Sequence, residues 1–214
     1  MNGAKINAVA SARDLGVIIN DSCKPSEHVT SITKKANGVL SQLNRTMISR
    51  NREVVINLYK IFVRPILEFA VVAWSPWERK DIDALEKIQR RATRMIPGLG
   101  KLPYEERLKA CGLTTLECRR VRGDMVEMYK ITNGYTSLDI TNFVHFTSQR
   151  HDLSTRSSAN KSLVPGRCRL DLRKNFFTNR TVNAWNALPL DIREAESINS
   201  FKNDYDDWML DPME

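Results

Sequence analysis

Val29, Ile32, Ala36, Val39, Leu40 and Leu43 recur three and four residues apart, which places them on one face of an α-helix. Pro25 and Ser26 stand just before this run, and Ser26 is a candidate cap. Lys34 and Lys35 fall on the outer side. Arg50, Asn51 and Arg52 form a break. A second helix is predicted from about Glu53, with Val55, Leu58, Ile61 and Phe62 on one face. Pro65 removes a backbone donor and disfavours helical backbone at Arg64, so a kink or a restart is expected there, followed by helix from Ile66 to Ala73. Trp74-Ser75-Pro76-Trp77 ends this element. A two-faced helix then runs from about Glu78 to Ile96. Leu85, Ile88, Ala92, Met95 and Ile96 gather on one side, and Lys80, Lys87, Arg90, Arg91 and Arg94 on the other, with Asp83 interrupting. Glu86 lies at the margin, four residues before Arg90, the spacing of a helical ion pair.

Pro97-Gly98-Leu99-Gly100 terminates that helix, and a short one follows from Pro103 to Cys111, closed by Gly112. Thr114 or Thr115 caps the next, with Glu117 at capping-box distance from Thr114. It carries Leu116, Val121, Met125, Met128 and Tyr129 inward, and Arg119, Arg120 and Arg122 outward, and stops at Asn133-Gly134. The two ends of the chain read differently. Leu15, Val17 and Ile19 alternate around Gly16 before the turn formers Asn20 and Asp21, which signals a strand or hairpin arm. From Tyr135 to about Leu172 the period gives way to Ser, Arg, Gly and Pro, a long basic loop with room for a short hairpin around Ser162 to Leu172. Helix returns from Phe176 to Ala187, then in a last element capped by Ser197 with Phe201, Tyr205 and Trp208 on one face. The pattern predicts a mainly α chain in four segments. These are a hairpin over 1–21, a multi-helix bundle over 22–134, a basic loop or linker over 135–172, and a C-terminal helical pair over 173–214.

Composition narrows the function. The chain has 214 residues, 42% of them hydrophobic, enough for a core and against wholesale disorder. A formal charge of +8 and a pI near 9.5 favour an anionic partner, most commonly nucleic acid. Between Arg150 and Arg180 eight Lys and Arg stand against two Asp. Cys23, Cys111, Cys118 and Cys168 form no C-x-x-C pair and read as reduced thiols of an intracellular protein, in cytoplasm or nucleus. A zinc set of Cys111, Cys118, His151 and Cys168 fits no common finger spacing, so no cofactor or metal is expected. The most apolar stretch, Ile61 to Trp74, is broken by Arg64, Pro65 and Glu68 and is too short and charged to span a bilayer. The N-terminus has no signal-peptide core, and no membrane partner is expected. No P-loop, G-x-G-x-x-G or H-E-x-x-H occurs. His28, His145 and His151 stand in no nucleophile–base pattern, and His28 at a helix start reads as structural.

Six runs, in order, carry a resemblance. They are Asp14-Leu15-Gly16-Val17, LYKIFVRPILEFAVVAWSP (58–76), DIDALEKIQRRATRMIPGL (81–99), Tyr104-Glu105-Glu106-Arg107-Leu108, LTTLECRRVRGDMVEMYKITNG (113–134) and FFTNRTVNAWNALPLDIREAESINSFKNDYDDW (176–208). Together they span nearly the whole chain. It resembles the region after the polymerase active site in non-LTR (LINE-type) retrotransposon reverse transcriptases of the jockey-like and chicken-repeat-like kind. The resemblance implies that Leu15, Gly16 and Val17 belong to a primer-grip hairpin at the end of the palm. It also implies that the following helices form a thumb and post-thumb region, and that the catalytic palm lies before residue 1. The implied function is a fragment of a mobile element's RNA-directed DNA polymerase, inactive alone and retaining a nucleic-acid-binding helical region. Apolar surface left by the absent palm would favour association.

Polymerisation in that family uses carboxylates that hold two Mg²⁺ ions. Tyr205-Asp206-Asp207 is one residue short of a Tyr/Phe-x-Asp-Asp hairpin and sits in a helical run, so no catalytic residue is assigned. Lys87, Arg90, Arg91 and Arg94 span about 10 Å of helix, enough to meet several phosphates of an RNA or DNA template–primer duplex. Arg119, Arg120 and Arg122 are the expected extension of that face. Arg167 and Arg169, among Arg156, Lys161, Arg173 and Lys174, form a second basic stretch that either orders on RNA or serves as a flexible linker. Trp74, Trp77 and Trp185 have rings that stack on bases when exposed, but core packing is the commoner fate at such positions. Two rival readings stand beside this one: a non-enzymatic helical protein-interaction module, and a degenerate retroelement reading frame with no selected function. An exposed basic helix face continuous with Arg119, Arg120 and Arg122 favours nucleic acid; a buried one favours the interaction module.

Overall fold

A computed structural model of the chain describes residues 9–48, 50–137, 144–147 and 161–210. The protein is mainly α-helical, with a short antiparallel hairpin near its N-terminus. It divides into two compact units, residues 1–118 and 119–214. The boundaries expected at 21/22, 134/135 and 172/173 follow changes in sequence pattern. The contacts divide the chain elsewhere, because the hairpin shares the core of the first helices.

In the first unit, β1 (Ser11–Asp14) pairs with β2 (Val17–Asn20), Asp14 opposite Val17. The two-residue turn Leu15-Gly16 has φ of 44° and 92°, both positive as a type I′ turn requires. Gly16 also lies against Phe69: a Cβ there would stand 3.1 Å from the ring. Val17 is buried in the same core as α1 (Ser26–Thr46), which contributes Val29, Ala36 and Leu40. His28 joins the two elements. Its Nδ1 accepts from the Ile18 N–H at 3.1 Å, and its ring meets Trp74 edge-on at 4.8 Å. Burial, and then the charge of Arg13, hold its pKa below the ordinary imidazole range, which keeps Nδ1 free to accept. Ser26 does not cap α1. Its hydroxyl donates instead to Asp81 at 2.6 Å.

The next helix is interrupted in an unexpected place. Asn51 caps α2 (Arg52–Leu58), accepting from the Glu53 N–H at 2.9 Å. A widened π turn follows over Tyr59–Val63, then α3 (Arg64–Glu68) and α4 (Val71–Trp74). The α-helix restarts at Arg64, next to Pro65, but Arg64 itself stays helical, with φ −59° and ψ −41°, contrary to the non-helical backbone expected there. The π turn just before it opens the ladder where the proline ring would otherwise clash. The chain breaks later, at Ala70 with φ 51°, where the Trp74 indole donates to the Phe69 carbonyl at 2.7 Å. The extra residue also turns the helix. Tyr59, Val63 and Leu67 face the core, whereas Ile61 and Phe62, expected inside, are 62% and 50% exposed.

The helix α5 (Arg79–Arg94) buries Leu85, Ile88 and Ala92, with Ile96 just past its end. The helix α6 (Tyr104–Cys111) ends at Gly112 with φ 58°. Of the two candidate caps for α7 (Leu116–Thr132), Thr115 serves, accepting from the Cys118 N–H at 3.1 Å.

In the second unit, α7 turns Met125, Met128 and Tyr129 inward; Val121, expected there too, is exposed. Gly134 closes α7 with φ 72°, and the Tyr135 N–H reaches back to the Lys130 carbonyl at 2.8 Å. Strand β3 (His145–Phe146) pairs with β4 (Leu163–Val164), so the strand at Leu163 has a distant partner rather than one inside 162–172. The Asn186 amide fixes it, accepting from the Leu163 N–H at 2.9 Å and donating to its carbonyl at 2.8 Å. Then come α8 (Asp171–Lys174), α9 (Phe177–Arg180), α10 (Val182–Ala187), α11 (Leu190–Arg193) and α12 (Ile198–Leu210). The helix expected over Phe176–Ala187 is thus two short pieces. Phe201 stacks with Tyr129 at 4.4 Å and with Trp185 at 6.2 Å. Ser197 caps α12 as expected, accepting from the Ser200 N–H at 3.1 Å. Among the described residues no helix is long and apolar enough to cross a membrane.

Candidate nucleic-acid interface

The roll of α5 about its axis is set from within. Glu86, Gln89 and Thr93 point into the core and are all buried. Gln89 accepts from the Tyr59 hydroxyl at 2.8 Å. It donates to the Thr114 carbonyl at 2.9 Å and the Tyr104 hydroxyl at 3.0 Å. Glu86 accepts from the Leu116 N–H at 3.0 Å and from the Tyr104 hydroxyl. The expected Glu86–Arg90 pair is therefore absent: donors from α6 and α7 hold the carboxylate inside. Burial, first among the causes, pushes the phenols of Tyr59 and Tyr104 far up, so both remain protonated donors.

One residue further round the helix, Lys87, Arg90, Arg91 and Arg94 are all exposed. They line an open groove of about 1160 Å³ against α1, whose wall offers Thr30, Thr33, Lys34 and Asn37. The cations are not equivalent. Arg91 is tied across the groove to Asn37 and, at 3.1 Å, to Ser41. Lys80 is paired with Glu78 at 2.7 Å, and Arg79 with Asp83 at 3.1 Å. Arg90 lies 4.7 Å from the Tyr104 ring centroid, a cation–π contact that leaves its charge available. Among the described residues no carboxylate forms an ion pair with Lys87, Arg90 or Arg94.

Arg107 completes the arrangement; the sequence shows it only inside the Tyr104–Leu108 run, with no role marked for it. It is buried, and donates to the Arg90 carbonyl at 2.9 Å and to the Thr93 hydroxyl at 3.2 Å. A guanidinium at the C-terminal turn of α5 complements the helix dipole. Burial, and then the charge of Arg94, lower its pKa, yet a guanidinium stays charged in proteins.

The other expected residues fall elsewhere. Arg120 is buried and Arg119 half-buried. Arg122 makes a bidentate pair with Asp206, at 2.5 and 2.7 Å. The expectation that these three arginines present a free basic face is corrected: packing takes Arg120 and part of Arg119 out of solvent, and α12 supplies a carboxylate to Arg122. The same pair occupies Asp206 of the Tyr205-Asp206-Asp207 triplet, and Tyr205 is buried. Arg167 and Arg169 are exposed. Leu15 and Gly16 form the hairpin tip and Val17 its buried foot. Trp74 and Trp185 are buried in their cores, which removes them as base-stacking rings, and Trp77 is half-buried. Cys111 is buried and Cys118 exposed, all four thiols are free, and no three His, Cys, Asp or Glu among the described residues stand close enough to hold a metal ion. Arg156 and His151 lie outside the described residues. No protein-family model, no curated protein and no solved structure matches this chain.

Proposed function

We propose that the first unit grips the sugar–phosphate backbone of an RNA or DNA template–primer duplex in the α1/α5 groove. The role is that of the thumb-like, post-palm region of a retrotransposon reverse transcriptase, holding a nucleic acid rather than extending it. The observation that carries this reading is the set of exposed cations Lys87, Arg90 and Arg94, to which the described residues give no acid partner, on a helix whose roll is locked by buried hydrogen bonds. Thr30 and Thr33 support it from the opposite wall. Their hydroxyls donate to the α1 main chain, and exposed Lys34 beside them adds a cation to that wall. Contacts of this type carry affinity and salt sensitivity rather than sequence choice.

The test is a titration of the full chain with an RNA–DNA hybrid at two salt concentrations. Lys87→Ala, Arg90→Ala and Arg94→Ala combined should weaken binding at least tenfold, and flatten the salt slope by roughly one per cation removed. Arg91 is left intact because it braces α1. Wild-type affinity and slope in the triple variant would sink the proposal. A protein-binding surface is the second reading. It is favoured by the exposed apolar side chains Leu15, Ile61, Phe62 and Phe69 on the same unit, and concentration-dependent sedimentation that Phe62→Ser and Phe69→Ser abolish would support it.

A further inference from the structure

The basic stretch after β4 is built rather than loose. The Lys161 carbonyl accepts from the Trp185 indole at 2.9 Å, and the Asn186 amide holds Leu163. Gly166 runs so close to α9 that a Cβ would lie 2.7 Å from Asn179 Oδ1. The other end of the Asn179 amide donates to the Arg173 carbonyl at 2.7 Å. Arg180 donates to the Asn175 carbonyl at 3.2 Å while its guanidinium is pinned by buried Asp124 at 2.8 and 2.9 Å. The segment is thus fastened on both sides of Arg167 and Arg169, and gives up part of its conformational entropy on folding. What it presents is Arg167, Arg169, Arg173 and Lys174, all exposed, within eight residues and with Asp171 as the one acid among them. Beside them the Phe176 ring is 46% exposed, with the Arg173 guanidinium 5.2 Å from its centroid.

We infer that this platform is a second nucleic-acid site, separate from the α1/α5 groove, and that its ligand is a single strand. The cations supply phosphate contacts, and the Phe176 face supplies a stacking surface. A protein ring reaches the face of a base once that base has left a duplex stack. A membrane surface is the rival anionic partner, since Leu170 and Leu172 are also exposed. Interfacial binding uses a helix with a sustained apolar face, however, and α8 has four residues. The charge and the ring together therefore favour a single strand.

The full chain is titrated with a labelled oligouridylate of about twelve nucleotides, within the usual span of single-strand sites, at two salt concentrations. Arg167→Ala, Arg169→Ala, Arg173→Ala and Lys174→Ala combined should weaken binding at least tenfold and flatten the salt slope by about three, from roughly 0.7 per phosphate contact. Phe176→Ala should weaken it about fivefold or more with the slope unchanged, and Phe176→Tyr should restore it. The Lys87, Arg90 and Arg94 triple variant should leave a measurable single-strand affinity, so the two sites fail or stand separately. All substituted side chains are exposed, and far-UV circular dichroism confirms that each variant folds. Wild-type single-strand binding in the quadruple variant, or no effect of Phe176→Ala, overturns the proposal. So does a result in which the quadruple variant loses only its sedimentation with phosphatidylserine vesicles.

Discussion

Replacing Gln89 by Leu probes the lock that orients the basic helix. The side chains are similar in volume, so the change is mainly one of polarity. The wild-type amide makes good hydrogen bonds to Tyr59, Tyr104 and the Thr114 carbonyl. With Leu, the Tyr59 hydroxyl and the Thr114 carbonyl lose their partner, while Tyr104 keeps Glu86. Each orphaned group costs about 1–3 kcal/mol, so the expected loss is roughly 2–6 kcal/mol. Tyr59→Phe alone orphans the Gln89 oxygen at about 1–3 kcal/mol. Together the two changes remove both ends of the Tyr59–Gln89 bond and leave only the Thr114 carbonyl orphaned, so the double variant should be about 2 kcal/mol or more above the sum of the singles in stability. Urea unfolding of the four proteins, with hydrogen exchange at the α5 amides to report the first unit separately, gives the coupling. Additivity within about 0.5 kcal/mol would refute the buried bond and, with it, the account of how α5 is held.

Three further outcomes test other joints. Leu15 is 90% exposed at φ 44°, so Leu15→Asn should stabilise the hairpin by about 1 kcal/mol, read as a raised urea midpoint, because Asn tolerates the left-handed turn. Asp124→Asn leaves half-buried Arg180 without its carboxylate and should cost about 3 kcal/mol, the low end for breaking a buried pair, seen as an earlier melting of the second unit. Because the folded pKa of His28 is lowered, the unfolded chain binds more protons below the ordinary imidazole value of about 6.5. The stability His28 confers is therefore complete above that pH and lost as pH falls below it. His28→Gln should flatten the urea midpoint between pH 7 and pH 5, and an unchanged slope would refute the role given to His28.

The parts of the fold legible in the sequence are those decided by a helix's own face. The stripe from Val29 to Leu43 and the two sides of α5 followed from spacing alone, because burial of one face is a local pattern. What was illegible is decided by distant groups. Nothing in Tyr59–Val63 marks one extra residue in the turn, yet it moves Ile61 and Phe62 from inside to outside. Glu86 has the right spacing for Arg90, but donors eighteen and thirty residues away win the carboxylate. Arg122 reads as a free cation until Asp206, eighty-four residues on, is brought to it. The partner of β4 is likewise beyond local reach.

For the site, charge was legible and shape was not. The cations of α5 stand out because they are charged, but the facing wall of the groove, Lys34 apart, is Thr30, Thr33 and Asn37, uncharged residues that any exposed helix carries. Their spacing of three and four places them on one stripe of α1, though only the packing of α1 on α5 makes that stripe a wall. The same packing couples structure to function. Glu86, Gln89 and Thr93 lie inside at the same intervals as Lys87, Arg90 and Arg94 lie outside, offset by one residue. A one-residue offset is about 100° of helix rotation. The buried amide and the exposed cations thus share a single degree of freedom, the roll of α5. In the proposed reading, Gln89→Leu should lower duplex affinity along with stability while removing no charge, whereas Lys87→Ala should lower affinity and leave stability within about 0.5 kcal/mol of wild type.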